Sequence, residues 1–161
     1  MNNVNKEYPN VHRYLETHFR LLREDLLAPY KYAVKEFRSK KTQRTTKPQL
    51  HDVQVYSNAS LVGMQAGNAG TENLIKFDNI EGHAMNVHWI NSKFLMFNSL
   101  LCISPDGFST LFWAVVSTQR VKELHDEGII GVRSVDGLEV KFERGIEYIM
   151  FESTSAFFEA Y

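Results

Sequence analysis

Cysteine is almost missing from this chain. Cys102 stands alone among 161 residues, so no internal disulfide can form and no cysteine-rich zinc site can be assembled. A reducing compartment, cytoplasm or nucleus, is the expectation that follows. Long hydrophobic runs are missing too: each is interrupted well before the roughly 18 residues a membrane helix needs, and residues 1–7 lack the basic-then-apolar order of a signal peptide. No membrane partner is expected. None of the nine glycines is followed by lysine, which excludes a Gly-x-x-x-x-Gly-Lys-Ser/Thr phosphate loop. His-Glu-x-x-His, Gly-x-Ser-x-Gly and Gly-x-Gly-x-x-Gly are absent as well. The expectation is a chain with no catalytic residue, no cofactor and no ATP hydrolysis of its own.

Net charge is also nearly absent, at −1, but the charges are unevenly placed. Lys31, Lys35, Arg38, Lys40, Lys41, Arg44 and Lys47 fall in one block in which Glu36 is the only acid, whereas residues 123–159 are predominantly acidic. Such a block can neutralise phosphates and make binding steeply salt-dependent; it can equally be a solvated linker. What the chain has in quantity is apolar surface: 43% hydrophobic and 12% aromatic residues suffice for one domain with a sizeable core.

Periodicity divides that surface. After a disordered stretch at residues 1–9, Asn10 is a fair N-cap, and Val11, Tyr14, Leu15, His18 or Phe19, Leu22 and Leu26 recur at helical spacing. Glu16, Arg20 and Glu24, each four apart, support the exposed face. Pro29 lacks an amide hydrogen and predicts a break or kink near residues 27–29, followed by a second amphipathic piece carrying Tyr30, Ala33, Val34 and Phe37. Residues 10–37 thus form a helical arm, and the polar, basic residues 38–50 a linker.

Beyond the linker the period drops to two. Val53/Val55 and Leu61/Gly63 predict two short strands separated at Ser57-Asn58, and Gly67-Asn68-Ala69-Gly70 reads as a hairpin turn into residues 74–77. Residues 94–103 and 111–117 are the most apolar and predict a central hairpin around Pro105-Asp106-Gly107. A short helix over residues 121–127 ends at Gly128, and residues 129–132, 138–142 and 148–151 read as strands. The fold class is α+β: a stalk-like helical arm, then a small antiparallel β-barrel of about seven or eight short strands over residues 51–152, then the start of a helix over 153–161.

Few side chains point to chemistry. His83 and His88 stand an odd number apart, so on a strand they face opposite ways and make no metal site. Cys102, among Leu100, Leu101 and Ile103, reads as a buried small hydrophobe, and His125-Asp126 as exposed. Trp89, Lys93 and Phe94 form the one aromatic and basic cluster suited to stacking unpaired bases; the alternative is that Trp89, Phe94 and Phe97 are core.

One further feature is more specific. Residues 14–25, Tyr-Leu-Glu-Thr-His-Phe-Arg-Leu-Leu-Arg-Glu-Asp, resemble a run in the NFX-type zinc-finger-containing RNA helicases, a superfamily-one group related to the nonsense-mediated decay helicase and senataxin. Further landmarks follow in the same order: Trp89, Ser92, Lys93 and Leu95; then Ser99, Leu100, Leu101, Cys102, Ser104, Asp106 and Phe108; then Phe157-Phe158-Glu159-Ala160-Tyr161. Phe94 and Asn98 depart from the pattern, which has a basic residue and a glycine there. The resemblance implies a region N-terminal to an ATPase core, with residues 153–161 leading toward it, in proteins of small-RNA-directed silencing, heterochromatin formation, RNA surveillance and antiviral sensing. It implies single-stranded, sequence-tolerant RNA as a partner, with the helicase core and silencing-complex proteins as others.

Two functions follow as expectations. In the first, the chain is a non-catalytic accessory domain that binds or positions RNA, using Lys31, Lys35, Arg38, Lys40, Lys41, Arg44, Lys47, Trp89 and Lys93. In the second, the helical arm is a protein-docking surface and the domain binds no RNA of its own.

Overall fold

The computed structural model describes residues 8–41, 50, 52–67, 70–78, 92–118, 124, 127–135 and 142–154. Among the described residues a long helix, α1 (Val11–Lys41), leads into six strands: β1 (Val53–Gly67), β2 (Gly70–Lys76), β3 (Leu100–Ser104), β4 (Phe112–Thr118), β5 (Ile129–Ser134) and β6 (Glu147–Ser153). The strands are antiparallel and close on themselves as a barrel in the order β1-β2-β5-β4-β3-β6. Closure gives each described strand a neighbouring strand on both sides over at least part of its length.

Asn10 starts α1 as its sequence context predicts, accepting the Arg13 amide on its Oδ1 at 2.8 Å. Glu16 links Arg13 at 3.3 Å and Arg20 at 2.6 Å along the exposed face. Of the break or kink predicted at Pro29, the break does not occur: α1 runs through the proline as one helix. An interior proline costs about 3 kcal/mol, but the next turn buries Tyr30 and Ala33 against the ring, which supplies a term of similar size. The helix also takes in Arg38–Lys41, the first residues of the predicted linker.

Six strands stand among the described residues where seven or eight were expected, for identifiable reasons. The two strands predicted around Val53 and Leu61 are one. Ser57-Asn58 is a bulge inside it, with Asn58 at φ 51° and the β6 register shifting between Tyr56 and Ala59. The bend lets Val53–Ser60 pair with β6 and Ser60–Gly67 pair with β2. Residues 94–99, predicted as strand, are not: Leu95 and Asn98 have φ of 53° and 67°, and β3 begins only at Leu100. Residues 138–141 of another predicted strand, and 155–161 of the C-terminal helix, lie outside the described residues. Ser153 itself belongs to β6.

Turn chemistry is as expected at residues 104–108. Ser104 Oγ accepts the Phe108 amide at 2.7 Å, Asp106 accepts the Thr110 amide at 2.8 Å, and Gly107 sits at φ 72°. The Thr110 amide and hydroxyl and then Ser104 hold the Asp106 carboxyl below its ordinary range.

Two cores result from strand alternation. On β6, Tyr148 and Met150 point into the ring while Ile149 and Phe151 point out toward α1; on β3, Leu101 and Ile103 point in while Leu100 and Cys102 point out. Covered on both faces, β3 reads as a continuous apolar run. The outer core joins Tyr30, Ala33 and Phe37 to Phe108 and Phe151, whose rings stack at 4.2 Å.

Candidate functional site

Helix α1 is held at one point by a buried hydroxyl. Tyr30 Oη donates to the Leu100 carbonyl at 2.7 Å and accepts the Ser153 amide at 3.1 Å, with its ring edge-on to Trp113 at 5.1 Å. Burial pushes this phenol above its ordinary range, so it remains a neutral donor. With Tyr30, Ala33 and Phe37 turned inward, the spacing of four and then three sets Lys31, Lys35 and Arg38 on a neighbouring, exposed stripe. Lys31 pairs with Glu24, and the hydrogen bond and charge of that ammonium hold the Glu24 carboxyl below its ordinary range.

The rest of the predicted basic set distributes as follows. Lys40 and Lys41 continue α1 in its last turn. Arg44, Lys47 and Trp89 lie outside the described residues, as do His83, His88 and His125. Lys93 is exposed in the segment 92–99, and Phe94 beside it is partly buried against the interior core. The structure therefore brings Lys31, Lys35 and Arg38 onto one helix stripe and puts Lys93 on a separate loop.

That loop is fixed from below. Leu95 is fully buried in the interior core, and its amide donates to Glu152 Oε1 at 2.8 Å. The Ser99 amide closes a turn onto the Met96 carbonyl at 2.9 Å, and the Asn98 amide reaches the Val116 carbonyl at 2.8 Å. Between these anchors Met96 and Phe97 face solvent, Phe97 with 66% of its surface exposed. Sequence reasoning gave Phe97 no site role and left it to the core. The available signal was Asn98, standing where the resembling family has glycine: both residue types tolerate the left-handed φ that ends strand geometry there.

Glu152 is the deepest charged group at the site. Its Oε2 accepts the Tyr56 hydroxyl at 2.5 Å, its Oε1 the Leu95 amide, and Ser99 hydrogen-bonds it as well. Burial outweighs these donors and raises the carboxyl above its ordinary range. Burial raises Tyr56 too, reinforced by the charge of Glu152. Consecutive residues of β6 thus hold two different elements: Glu152 the loop and Ser153 the helix.

A second surface lies at the other end of α1. Val11, Leu15, Phe19, Leu22, Leu26, Tyr30, Ala33 and Phe37 succeed one another at spacings of three and four, one apolar stripe along the whole helix. Its C-terminal part is seated on the ring. At its N-terminal part Val11 is 72% and Phe19 65% exposed, with Leu15 and Leu22 also open to solvent. The expected stripe is present, and half of it is uncovered.

Among the described residues there is no group of three or more His, Cys, Asp or Glu able to hold a metal, and no helix long and apolar enough to cross a membrane. Cys102 is buried as expected, which pushes its thiol up to about 12 and makes it a poor nucleophile.

The sequence profile described as the ZNFX1 domain matches residues 48–154. The chain belongs to this family. It is 31% identical over 164 residues to the NFX1-type zinc finger-containing protein 1 of Homo sapiens and 32% identical to that of Mus musculus, covering 99% of this chain but 8% of each relative. It is 26% identical over 161 residues to the "Helicase required for RNAi-mediated heterochromatin assembly 1" of Schizosaccharomyces pombe, covering 99% of this chain and 15% of that protein. No solved structure matches. The ZNFX1-domain relatives are those that the run at residues 14–25 resembles, and the chain corresponds to a small part of their length.

Proposed function

We propose that this ZNFX1-domain chain is a non-catalytic accessory module of a helicase-family protein, and that it holds RNA by its backbone. The observation that carries this is the clamped helix: Tyr30 fixes α1 on the ring, and the exposed stripe beside it places Lys31, Lys35 and Arg38 in a row, with Lys40, Lys41, Arg44 and Lys47 extending the charge along the chain. Such a row neutralises phosphates without reading sequence. Trp89 and Lys93 add to the contact. The helicase and RNAi terms in the name of the S. pombe relative support an RNA role in silencing and heterochromatin formation, inside the cell. RNA surveillance, antiviral sensing and contact with silencing-complex proteins belong to the same reading.

Titration of labelled single-stranded RNA at low and high salt tests this. Affinity is expected to fall as salt rises, and each phosphate-contacting cation replaced by alanine should flatten the log–log slope by about 0.7. Absence of binding at low salt, or binding indifferent to salt, rejects the reading.

A second reading is favoured by one separate observation, the uncovered apolar half of α1. Val11, Leu15, Phe19 and Leu22 lie in register with Tyr30 and Ala33, which are buried further along the same helix, the pattern of a helix that continues onto a second body. That body is the remainder of a helicase-family chain. The two readings are compatible, since the basic stripe and the apolar stripe occupy different faces.

A further inference from the structure

The loop at residues 92–99 holds its backbone tightly while exposing what most loops hide. Leu95 and Asn98 both adopt left-handed φ; asparagine tolerates that conformation, but a leucine disfavours it and keeps it only where surrounding contacts over-determine it. Here the contacts are the buried Leu95 side chain, the Leu95 amide on Glu152, the Ser99 amide on the Met96 carbonyl and the Asn98 amide on Val116. All of them serve to keep Met96 and Phe97 out of the core, although Leu95 and Phe94 beside them pack into it. An aromatic ring pinned in water on a rigid support is a preorganised contact surface.

We infer that Phe97 is a stacking platform for an unpaired nucleobase of single-stranded RNA. This rests on the RNA reading above and adds to it the residue that engages a base. Two arguments favour a base over a protein partner. A stable protein interface draws roughly 20–30 residues from each side, whereas Met96 and Phe97 offer one ring and one thioether, the size of a single base. The loop also carries an exposed cation, Lys93, and no acid among residues 92–99. The position relative to α1 matters as well. The loop runs directly into Leu100, whose carbonyl holds Tyr30, and Lys31 follows Tyr30 on the helix. Glu152 and Ser153, adjacent on β6, grip the loop and the helix respectively. A ligand with anionic backbone and flat, unpaired bases matches both elements at once.

The test uses the full 161-residue chain and two oligonucleotides, a single-stranded oligouridine and the same backbone with abasic positions. Phe97→Ala is expected to weaken binding of the base-bearing strand about tenfold, the loss of one stacked base, and to leave the abasic strand and the salt slope unchanged. Phe97→Tyr, which keeps the ring, should restore affinity. Because Phe97 is exposed, circular dichroism and urea unfolding should show both variants folded. Equal affinity of Phe97→Ala and the unaltered chain for oligouridine overturns the inference while leaving backbone binding standing, as does an equal loss on the abasic strand. Failure of the unaltered chain to bind either strand at low salt removes the RNA reading itself, and this inference with it.

Discussion

Tyr56 and Glu152 meet inside the ring, the phenol donating to the carboxylate at 2.5 Å from a neighbouring strand, and the second carboxylate oxygen holds the loop through the Leu95 amide. Burial raises the Glu152 carboxyl above its ordinary value of 4.5. Between that value and its raised one, the folded state binds more proton than the unfolded, so stability is greatest below the window and falls as pH rises through it.

Glu152→Gln is therefore expected to flatten that pH dependence while retaining an acceptor for Leu95. Glu152→Ala leaves the Leu95 amide and the Tyr56 hydroxyl unpaired and should cost about 1–3 kcal/mol for each group left buried. Urea unfolding across pH reads both. A glutamine variant that keeps the parental pH profile contradicts the assignment.

Tyr30→Phe preserves the ring contact with Trp113 but removes the hydroxyl that bonds both the Leu100 carbonyl and the Ser153 amide. A loss of about 1–3 kcal/mol is expected in urea unfolding, together with faster hydrogen exchange at Ser153. Unchanged exchange would mean that α1 is not clamped there.

Gly128 and Gly145 both have positive φ, 67° and 82°, yet they should respond differently to alanine. A Cβ at Gly128 would lie 2.6 Å from the Phe77 carbonyl oxygen, beside the bond from the Phe77 amide to the Gly128 carbonyl; at Gly145 it would meet nothing within 4 Å. Gly145→Ala should cost about 1–2 kcal/mol, the conformational term alone, and Gly128→Ala distinctly more. Thermal melts of equal midpoint would contradict the steric argument.

Leu15 and Ala33 lie on one helix stripe and should also part company. Leu15→Lys, in solvent, should change fold stability by no more than about 0.5 kcal/mol, whereas Ala33→Leu, at a contact with 1% exposure, should cost about 1–3 kcal/mol by overpacking. On the docking reading, Leu15→Lys also weakens association with a helicase-family chain supplied in trans, measured by co-sedimentation.

Local chemistry was legible before the fold was known. The Asn10 cap, the Pro105-Asp106-Gly107 turn and the inward face of Tyr30, Ala33 and Phe37 each depend on a few neighbouring residues, so they could be read from them. Misreadings arose where a distant contact overrode local preference. Pro29 predicts a break or a kink, but burial of the next turn keeps the helix unbroken. Ser57-Asn58 looks like a strand end, yet ring closure makes it a bulge between two pairings. Residues 94–99 look like strand, but Glu152, far along the chain, holds Leu95 in a conformation no strand uses.

By itself the sequence determined which residues are apolar and on what period, and hence that a helical arm precedes a set of short strands and that no phosphate loop is encoded. Tertiary structure alone decided coverage. The stripe from Val11 to Phe37 has the same spacing throughout, but the ring covers only its second half; Phe97 is no less apolar than Phe94, but the loop turns one out and the other in. Periodicity is a property of neighbours along the chain, whereas exposure depends on where strands from its opposite end come to rest.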